Sequence, residues 1–541
     1  MAIAAAPALA TTTSEFDLVL SGGTIVDGTG GITFPGDIGV IGDTIAAIGT
    51  IPAARARRAI DVTGMHVVPG FVDIHSHSDR SVLNFPTCDS RVLQGITTEV
   101  TGNCGSSAAL LSGVDAEQRR KSWLDEDGIR AGWSDVASFA QRVEAGGISA
   151  NQAMLLGHGT LRENAVGNVD RRLSQAELSG VLAAVEEGMD QGAFGVSTGL
   201  EYAPGIYTPA EEVVEIARVV ARRGGLYASH VRNEVDAVLE AVDEAIDIGR
   251  RTGVRVEVSH LKVCGKRHWA KQRATLHLIE SARRDSVDVL ADVYPYAAYS
   301  TGLTILLDAW AREGDSAALV ARLRTPADRA RIRREVDAKV AEDPGGYELV
   351  VISGVRTEQN RGAVGRSLAE IAAGWKVEPS EAYARLLEQE EGGVSYIGHA
   401  MSLENVEMVL AHPLVMIGSD GYSLTPGATG AGRQHPRSFG TYARVLGHYV
   451  RERRAVDLAT AVRKMTSMPA DQLGLGDRGR LARGKRADLV VFDAATIADR
   501  ATFDSPLEAP VGISHVLVNG TAVVERGRHT GARPGRFLRR S

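Results

Sequence analysis

Cysteine is scarce in this chain: Cys88, Cys104 and Cys264 are the only three among 541 residues. So few thiols exclude a disulfide framework, and a cysteine that does chemistry here would hold a metal or act as a thiolate. No apolar run approaches the ~18–20 residues that a membrane-spanning helix needs, so no membrane partner is expected. Lysine- and arginine-rich blocks are missing too, and 60 Lys+Arg against 67 Asp+Glu give a formal charge of −7 with His neutral. That balance lacks the basic footprint of a nucleic-acid binder. No Walker-type phosphate loop occurs and no Gly-x-Ser-x-Gly elbow opens a helix, so nucleotide hydrolysis lacks its motif and a serine-hydrolase reading fails on placement. Met1 to Ala10 is small and apolar with no Lys or Arg before it. Residues 1–15 therefore read as a disordered leader on a cytoplasmic chain rather than an export signal.

What is present is a large core: 44% of residues are hydrophobic and 23% charged, the proportions of a globular protein. Both ends have short strand-like runs between glycine turns, such as Phe16-Asp-Leu-Val-Leu-Ser near the start and Ala487-Asp-Leu-Val-Val-Phe near the end. They predict one small β-sandwich domain assembled from residues 16–69 and 478–541. The middle alternates strand and helix. Buried strands are predicted at Gly70–Ile74, Ile96–Val100, Ala153–Leu156, Ala193–Ser197, Gly225–Ser229, Arg255–Ser259, Asp288–Asp292 and Leu414–Gly418. Ser174-Gln-Ala-Glu177 and Thr208-Pro-Ala-Glu211 match the capping box, the second with Pro209 at the first helical position. Val213, Ile216, Ala217 and Val220 then recur at helical spacing. Eight strands with helices between them make this an α/β chain, a (β/α)₈ TIM-like barrel over residues 70–303 and 399–477. The stretch 304–398, rich in Arg, Glu and Ala, is far longer than a βα loop and reads as an inserted subdomain, a candidate lid.

The ligand-type residues fall at one end of these strands. His75 and His77 stand two apart at the end of the first strand, so both imidazoles share a face. His230 and His260 each follow a serine at the end of their strands, Cys104 sits in Gly102-Asn-Cys-Gly after the second strand, and Asp420 closes the eighth. Singly, each has a bland reading: a histidine after a strand is ordinarily a hydrogen-bonded loop residue, Asp420 a turn former and Cys104 a small core residue. Together, four imidazoles, a carboxylate and a thiol at the strand ends where barrel enzymes place their chemistry suit a borderline divalent metal, zinc above all.

These residues also carry a resemblance. Leu18-Val-Leu-Ser-Gly-Gly-Thr-Ile-Val-Asp-Gly, Val68-Pro-Gly-Phe-Val-Asp-Ile-His-Ser-His and Gly484-Lys-Arg-Ala-Asp-Leu-Val-Val-Phe look like the amidohydrolase superfamily. Gly102-Asn-Cys-Gly, Ser229-His-Val-Arg-Asn-Glu, Ser259-His-Leu-Lys, Asp292-Val-Tyr-Pro-Tyr, Gly418-Ser-Asp-Gly and His435-Pro-Arg-Ser-Phe-Gly-Thr resemble its N-acyl-D-amino-acid deacylases, the D-aminoacylases. The likeness implies that His75 and His77 hold one metal position and His230 and His260 the other, with the Cys104 thiolate near or between them. It implies one tightly held zinc, with a second position beside it. Asp420 would shuttle the catalytic proton. Lys262 and Arg437 would hold the substrate's α-carboxylate, helped by Ser300 and by Tyr294 or Tyr296, and His158 would shape the pocket or polarise the amide. Glu201 and Glu234 are further carboxylates nearby. The expected activity is hydrolysis of a small-molecule N-acyl-D-amino acid. A hydantoinase- or dihydroorotase-like cyclic amidase is the rival enzyme, and Cys104 argues against it because such enzymes usually carry a bridging lysine. A non-catalytic binding protein on the same scaffold would be expected to have lost ligands that this chain keeps.

Overall fold

The computed structural model describes residues 14–428 and 432–540; most of the expected leader lies outside the described residues. Eight parallel strands form the central barrel: β1 (Phe71–Asp73), β2 (Ile96–Thr101), β3 (Asn151–Gly157), β4 (Gly195–Gly199), β5 (Leu226–His230), β6 (Arg255–Val258), β7 (Val289–Val293) and β8 (Val415–Ile417). Each pairs with its sequence neighbour. The circle closes just beyond the ends of β1 and β8, where Ser76 bridges Gly421 and the Asp420 amide donates to the His75 carbonyl at 2.7 Å. All eight predicted strands are present.

Two apolar layers account for the barrel. Val72, Ile74, Val100, Ala153, Leu155, Ala228 and Met416 fill one continuous buried cluster, the alternate residues of strands that point inward. The opposite residues, such as Val196, Val256 and Val289, pack outward with helix residues including Val213, Ile216, Ala217 and Val220. Helix Gln175–Asp190 begins with the predicted Ser174/Glu177 capping box. The second predicted box does not form. Pro209 is itself the N-cap of helix Ala210–Arg222, and the buried Thr208 hydroxyl has no partner. A 3₁₀ turn over Gly205–Tyr207 immediately before it sets where the helix can begin.

The ends of the chain meet in one nine-stranded sheet, in which strand Leu489–Phe492 pairs antiparallel with His66–Pro69. Leu18, Leu20, Ile38, Val40, Leu489, Val491 and Leu517 share its core. The last residues leave it: Phe537 bridges Gln152 of β3 and the Arg540 amide reaches the Gly192 carbonyl, so the C-terminal tail lies against the barrel. Between β7 and β8 a separate three-stranded antiparallel sheet joins Tyr299–Gly302, Val394–Gly398 and Val350–Val355, with helices including Pro326–Glu342. That sheet starts at Tyr299, upstream of the expected boundary at 304, because the first strand of the insertion is its edge. No helix among the described residues is long and apolar enough to cross a membrane.

Gly102 follows β2 at φ +78°, and a Cβ there would lie 1.9 Å from the Leu155 carbonyl oxygen. Gly102→Ala should therefore destabilise the fold by at least about 1–3 kcal/mol, read as a lowered denaturant midpoint. An unchanged midpoint would show that the β2–β3 contact yields without cost.

Candidate metal centre and substrate cavity

The two histidines that follow β1 diverge in burial. His75 is wholly buried, and His77 keeps about a fifth of its side chain exposed at the mouth. The Cys104 sulfur lies 3.4 Å from His75 Nε2 and 3.5 Å from His260 Nε2, and His260 Nε2 is 2.9 Å from His230 Nδ1. Asp420 Oδ1 stands 2.9 Å from His77 Nε2 and 3.7 Å from His75 Nε2. The five predicted ligands and Asp420 thus come together at the C-terminal ends of the strands.

Cys104 (φ 50°), His260 (φ 35°) and Asp420 (φ 52°) adopt left-handed backbone conformations, sterically costly for residues with a side chain and characteristic of functional sites. Space is equally constrained. A Cβ on Gly418, at the end of β8, would meet Asp292 Oδ1 at 2.7 Å and His75 Cβ at 2.8 Å.

Carboxylates stand behind three of the imidazoles. Asp292 Oδ2 is 3.2 Å from His75 Nδ1, Glu201 Oε2 3.2 Å from His230 Nε2, and Glu234 Oε1 3.2 Å from His260 Nδ1. An imidazole that donates from one nitrogen offers the lone pair of the other, which here leaves His75 Nε2, His230 Nδ1 and His260 Nε2 turned toward the thiol. Burial opposes ionisation of Cys104, but His75 and His260 beside it pull its pKa well below the usual thiol range. A thiolate with imidazole nitrogens around it is a donor set suited to zinc. Among the described residues, four groups of side chains have donor atoms close enough to share an ion: His75, Cys104 and His260; His75, His77 and Asp420; His230, Glu234 and His260; and His75, Glu257 and Asp292. The structure therefore fits a divalent metal.

Beside this cluster opens a cavity of about 420 Å³, lined among others by His230, His260, Lys262, Tyr294, Ser300 and Arg437. Both expected carboxylate-binding cations are buried and already paired. Lys262 Nζ donates to Glu234 at 2.6 Å, and Arg437 donates to Asp420 Oδ2 at 2.5 Å and to the Ser300 carbonyl at 3.3 Å. Burial alone would push the Asp420 carboxyl up, yet Arg437 and then His77 hold it well below the ordinary carboxylate range. Tyr294 lines the cavity, its ring centroid 5.0 Å from the Arg437 guanidinium carbon and 5.8 Å from Lys262 Nζ, and its buried hydroxyl has no partner. Tyr296 turns away, its ring against His435 and Phe503. His158 does not reach the cavity lining; it is buried at the start of helix His158–Val166, 3.6 Å from Glu212, whose two carboxylate oxygens both accept from Arg162. Its ring faces Glu212 of helix Ala210–Arg222 instead. The far wall comes from the insertion, with Ile305, Leu306, Arg312, Lys339 and Tyr396.

Two residues had no assigned role in the sequence reading. Asp292 stands in a recognised motif, but only the fold brings it to His75. Arg91 lies in a four-residue helix with no motif of its own, and it bonds to Asp73, Ser419 and the carbonyls of Tyr422 and Ser438.

Comparison with known proteins agrees with this geometry. The model of the amidohydrolase family matches residues 58–524. An N-acyl-D-glutamate deacylase of Alcaligenes xylosoxydans xylosoxydans is 39% identical over 97% of both chains, and a D-aminoacylase of the same organism is 36% identical over 97% of this chain and 98% of its own. The crystal structure of an N-acyl-D-glutamate deacylase from Bordetella bronchiseptica, complexed with zinc and a phosphonate mimic of the tetrahedral intermediate, superposes with a TM-score of 0.82. It shares 36% identity over 97% of this chain and 100% of its own. The chain belongs to the amidohydrolase family and, within it, to the N-acyl-D-amino-acid deacylase group of metal-dependent enzymes.

Proposed function

We propose that this protein hydrolyses the amide bond of N-acyl-D-amino acids, releasing a carboxylate and a free D-amino acid, with zinc as its metal. The observation that carries the reading is one cavity, beside the thiolate–imidazole cluster, that is lined by His230 and His260 of that cluster, the buried Asp420 carboxylate and two buried cations. Cys104, His230 and His260 would hold the tightly bound ion, and His75 and His77 a second position. When bound, zinc supplies Lewis acidity and brings the pKa of water to about 7. Asp420, in reach of both histidines that follow β1, accepts the proton of the attacking water and returns it to the leaving amine.

Lys262 and Arg437 take the α-carboxylate as a third member of ion pairs that already exist, and Tyr294 gains the hydrogen bond its hydroxyl lacks. Reading D from L takes three fixed points: the acyl carbonyl, the carboxylate and the side-chain pocket. The insertion, which we delimit at about residues 299–398 so that it includes its edge strand Tyr299–Gly302, supplies the wall of that third point. Its mixed lining of Ile305, Leu306, Tyr396, Arg312 and Lys339 leaves the side-chain class to experiment. A screen of paired N-acetyl-D- and N-acetyl-L-amino acids tests the activity itself, and turnover of the L series alone would overturn it.

Metal analysis should find between one and two zinc ions per chain, lost together with activity on chelation. Cys104→Ala should lower metal content and activity in parallel, whereas unchanged metal affinity would reduce Cys104 to a packing residue. Asp420→Ala should keep most of its tightly bound metal and lose ~10²–10⁴-fold in kcat; near-normal turnover in metal-replete protein would remove it from proton transfer. Lys262→Met or Arg437→Met should cost about 10²-fold or more in kcat/KM for the D substrate, and much less for an analogue whose carboxylate is amidated. If both replacements leave that ratio and the D/L preference untouched, the anchor lies elsewhere.

A further inference from the structure

Asp420 and Arg437 bond to each other across the cavity mouth, yet they belong to separate stretches of chain. The described residues between them, 421–428 and 432–436, contain no helix or strand that would fix their spacing. One further bond joins the two ends directly, from the Tyr422 amide to the Ser438 hydroxyl at 3.1 Å; the others come from a side chain elsewhere in the chain. Arg91 is wholly buried beneath the mouth in the short helix Asp89–Val92. Its Nη1 donates to Asp73 Oδ2 at 2.9 Å and to the Ser419 hydroxyl at 2.6 Å; its Nη2 donates to the carbonyls of Tyr422 at 2.8 Å and Ser438 at 2.9 Å; and Nε reaches Ser90 Oγ at 3.3 Å. All five guanidinium hydrogens are used, in the planar fork that only arginine provides.

The partners explain the consequence. Ser419 precedes Asp420, Ser438 follows Arg437, and Asp73 lies two residues before His75. Asp73 Oδ1 also accepts from the Ser419 amide at 2.8 Å. Gln94, from the same segment, donates to the Ser438 carbonyl at 2.8 Å and accepts from the Tyr442 amide at 3.0 Å. The fit leaves no slack, since a Cβ on Gly421 would lie 2.7 Å from Arg91 Nη2.

We propose that Arg91 is a positioning residue that sets the spacing of Asp420 and Arg437, and thereby couples the proton carrier to the carboxylate anchor. The inference rests on the roles given to those two residues above. Arg91 touches neither the cavity nor any predicted metal ligand, so its removal should leave metal binding intact while loosening both functional groups at once.

The test uses the full chain carrying Arg91→Met, which keeps much of the volume and removes every donor, and Arg91→Lys, which keeps the charge and three donors. Metal content should stay at the wild-type level in both. Arg91→Met should lower kcat/KM for an N-acetyl-D-amino acid about 10²-fold, with partial recovery in Arg91→Lys. The loss should be smaller for the carboxyl-amidated analogue, and Arg437→Met should cost less in the Arg91→Met background than in wild type. Arg478→Met is the control, because it breaks a buried 2.5 Å pair with Asp488 in the terminal sheet and should lower the thermal midpoint without changing kcat/KM. If Arg91→Met fails to fold, Arg91→Lys carries the same two comparisons. Equal losses on acid and amide substrates, with the Arg437→Met penalty undiminished, would overturn the positioning role, as would full activity in Arg91→Met. A wild-type protein inactive on every N-acetyl-D-amino acid would instead overturn the proposed function.

Discussion

The site depends on a single seam, the junction of the first and last barrel strands. Strand pairing is short there: β1 and β8 have three residues each, too few for backbone bonds alone to hold the circle. The Asp73 carboxylate completes it, accepting from the Ser419 amide and hydroxyl and from Arg91. Two buried charges of opposite sign are costly to desolvate and pay off only when every remaining hydrogen-bonding group is satisfied. Arg91 and Asp73 meet that condition, and their partners are the residues that flank His75, Asp420 and Arg437. A hydrophobic pair could close a barrel; it could not also dictate where three polar side chains stand.

The same logic is repeated one layer up. Bringing four imidazoles and a thiolate together places ring nitrogens face to face, 2.9 Å apart at His230 and His260. The carboxylates of Asp292, Glu201 and Glu234 resolve the orientation by occupying the outward nitrogens, so that the inward lone pairs converge. Left-handed backbone at Cys104, His260 and Asp420 is the strain accepted to aim them, and the β-sheet core beneath supplies the stability that offsets it.

Much of this arrangement was legible in the sequence because it depends on local spacing. The i, i+2 histidines, the repeated Ser-His at two strand ends and the alternation of strand and helix each follow from the period of an element. Long-range partners were not legible. Nothing in the spacing of Asp292 and His75, 217 positions apart, signals a contact, and Arg91 has no motif at all. His158 misled for a related reason. It follows a strand as the ligands do, but the chain turns into a helix at that residue, and the sequence Gly-His-Gly-Thr carries no sign of which way the ring will face. Tyr294 and Tyr296 could not be separated by pattern either; one lines the cavity and the other packs outward because the chain is irregular after β7.

Electrostatic pairing also constrains how a substrate can be recognised. Neither Lys262 nor Arg437 waits as a bare cation, since Glu234 and Asp420 neutralise them in the buried mouth. Under the proposed function an incoming carboxylate would share these cations, and sharing is cheap only where the new oxygens reach donors that the existing partners leave open. Arg437 gives one amino group to Asp420 and the other, at a longer 3.3 Å, to the Ser300 carbonyl, so the second is the exchangeable one. The Tyr294 hydroxyl, unpartnered and buried on a ring that both cations approach, would gain most from the exchange. A ligand without a carboxylate would leave that hydroxyl unsatisfied, a larger penalty than the loss of a methylene contact in the side-chain pocket. On the proposed reading, carboxylate recognition would rest on the barrel itself and the side-chain wall on the insertion, which lies apart from the seam that holds Asp420 and Arg437.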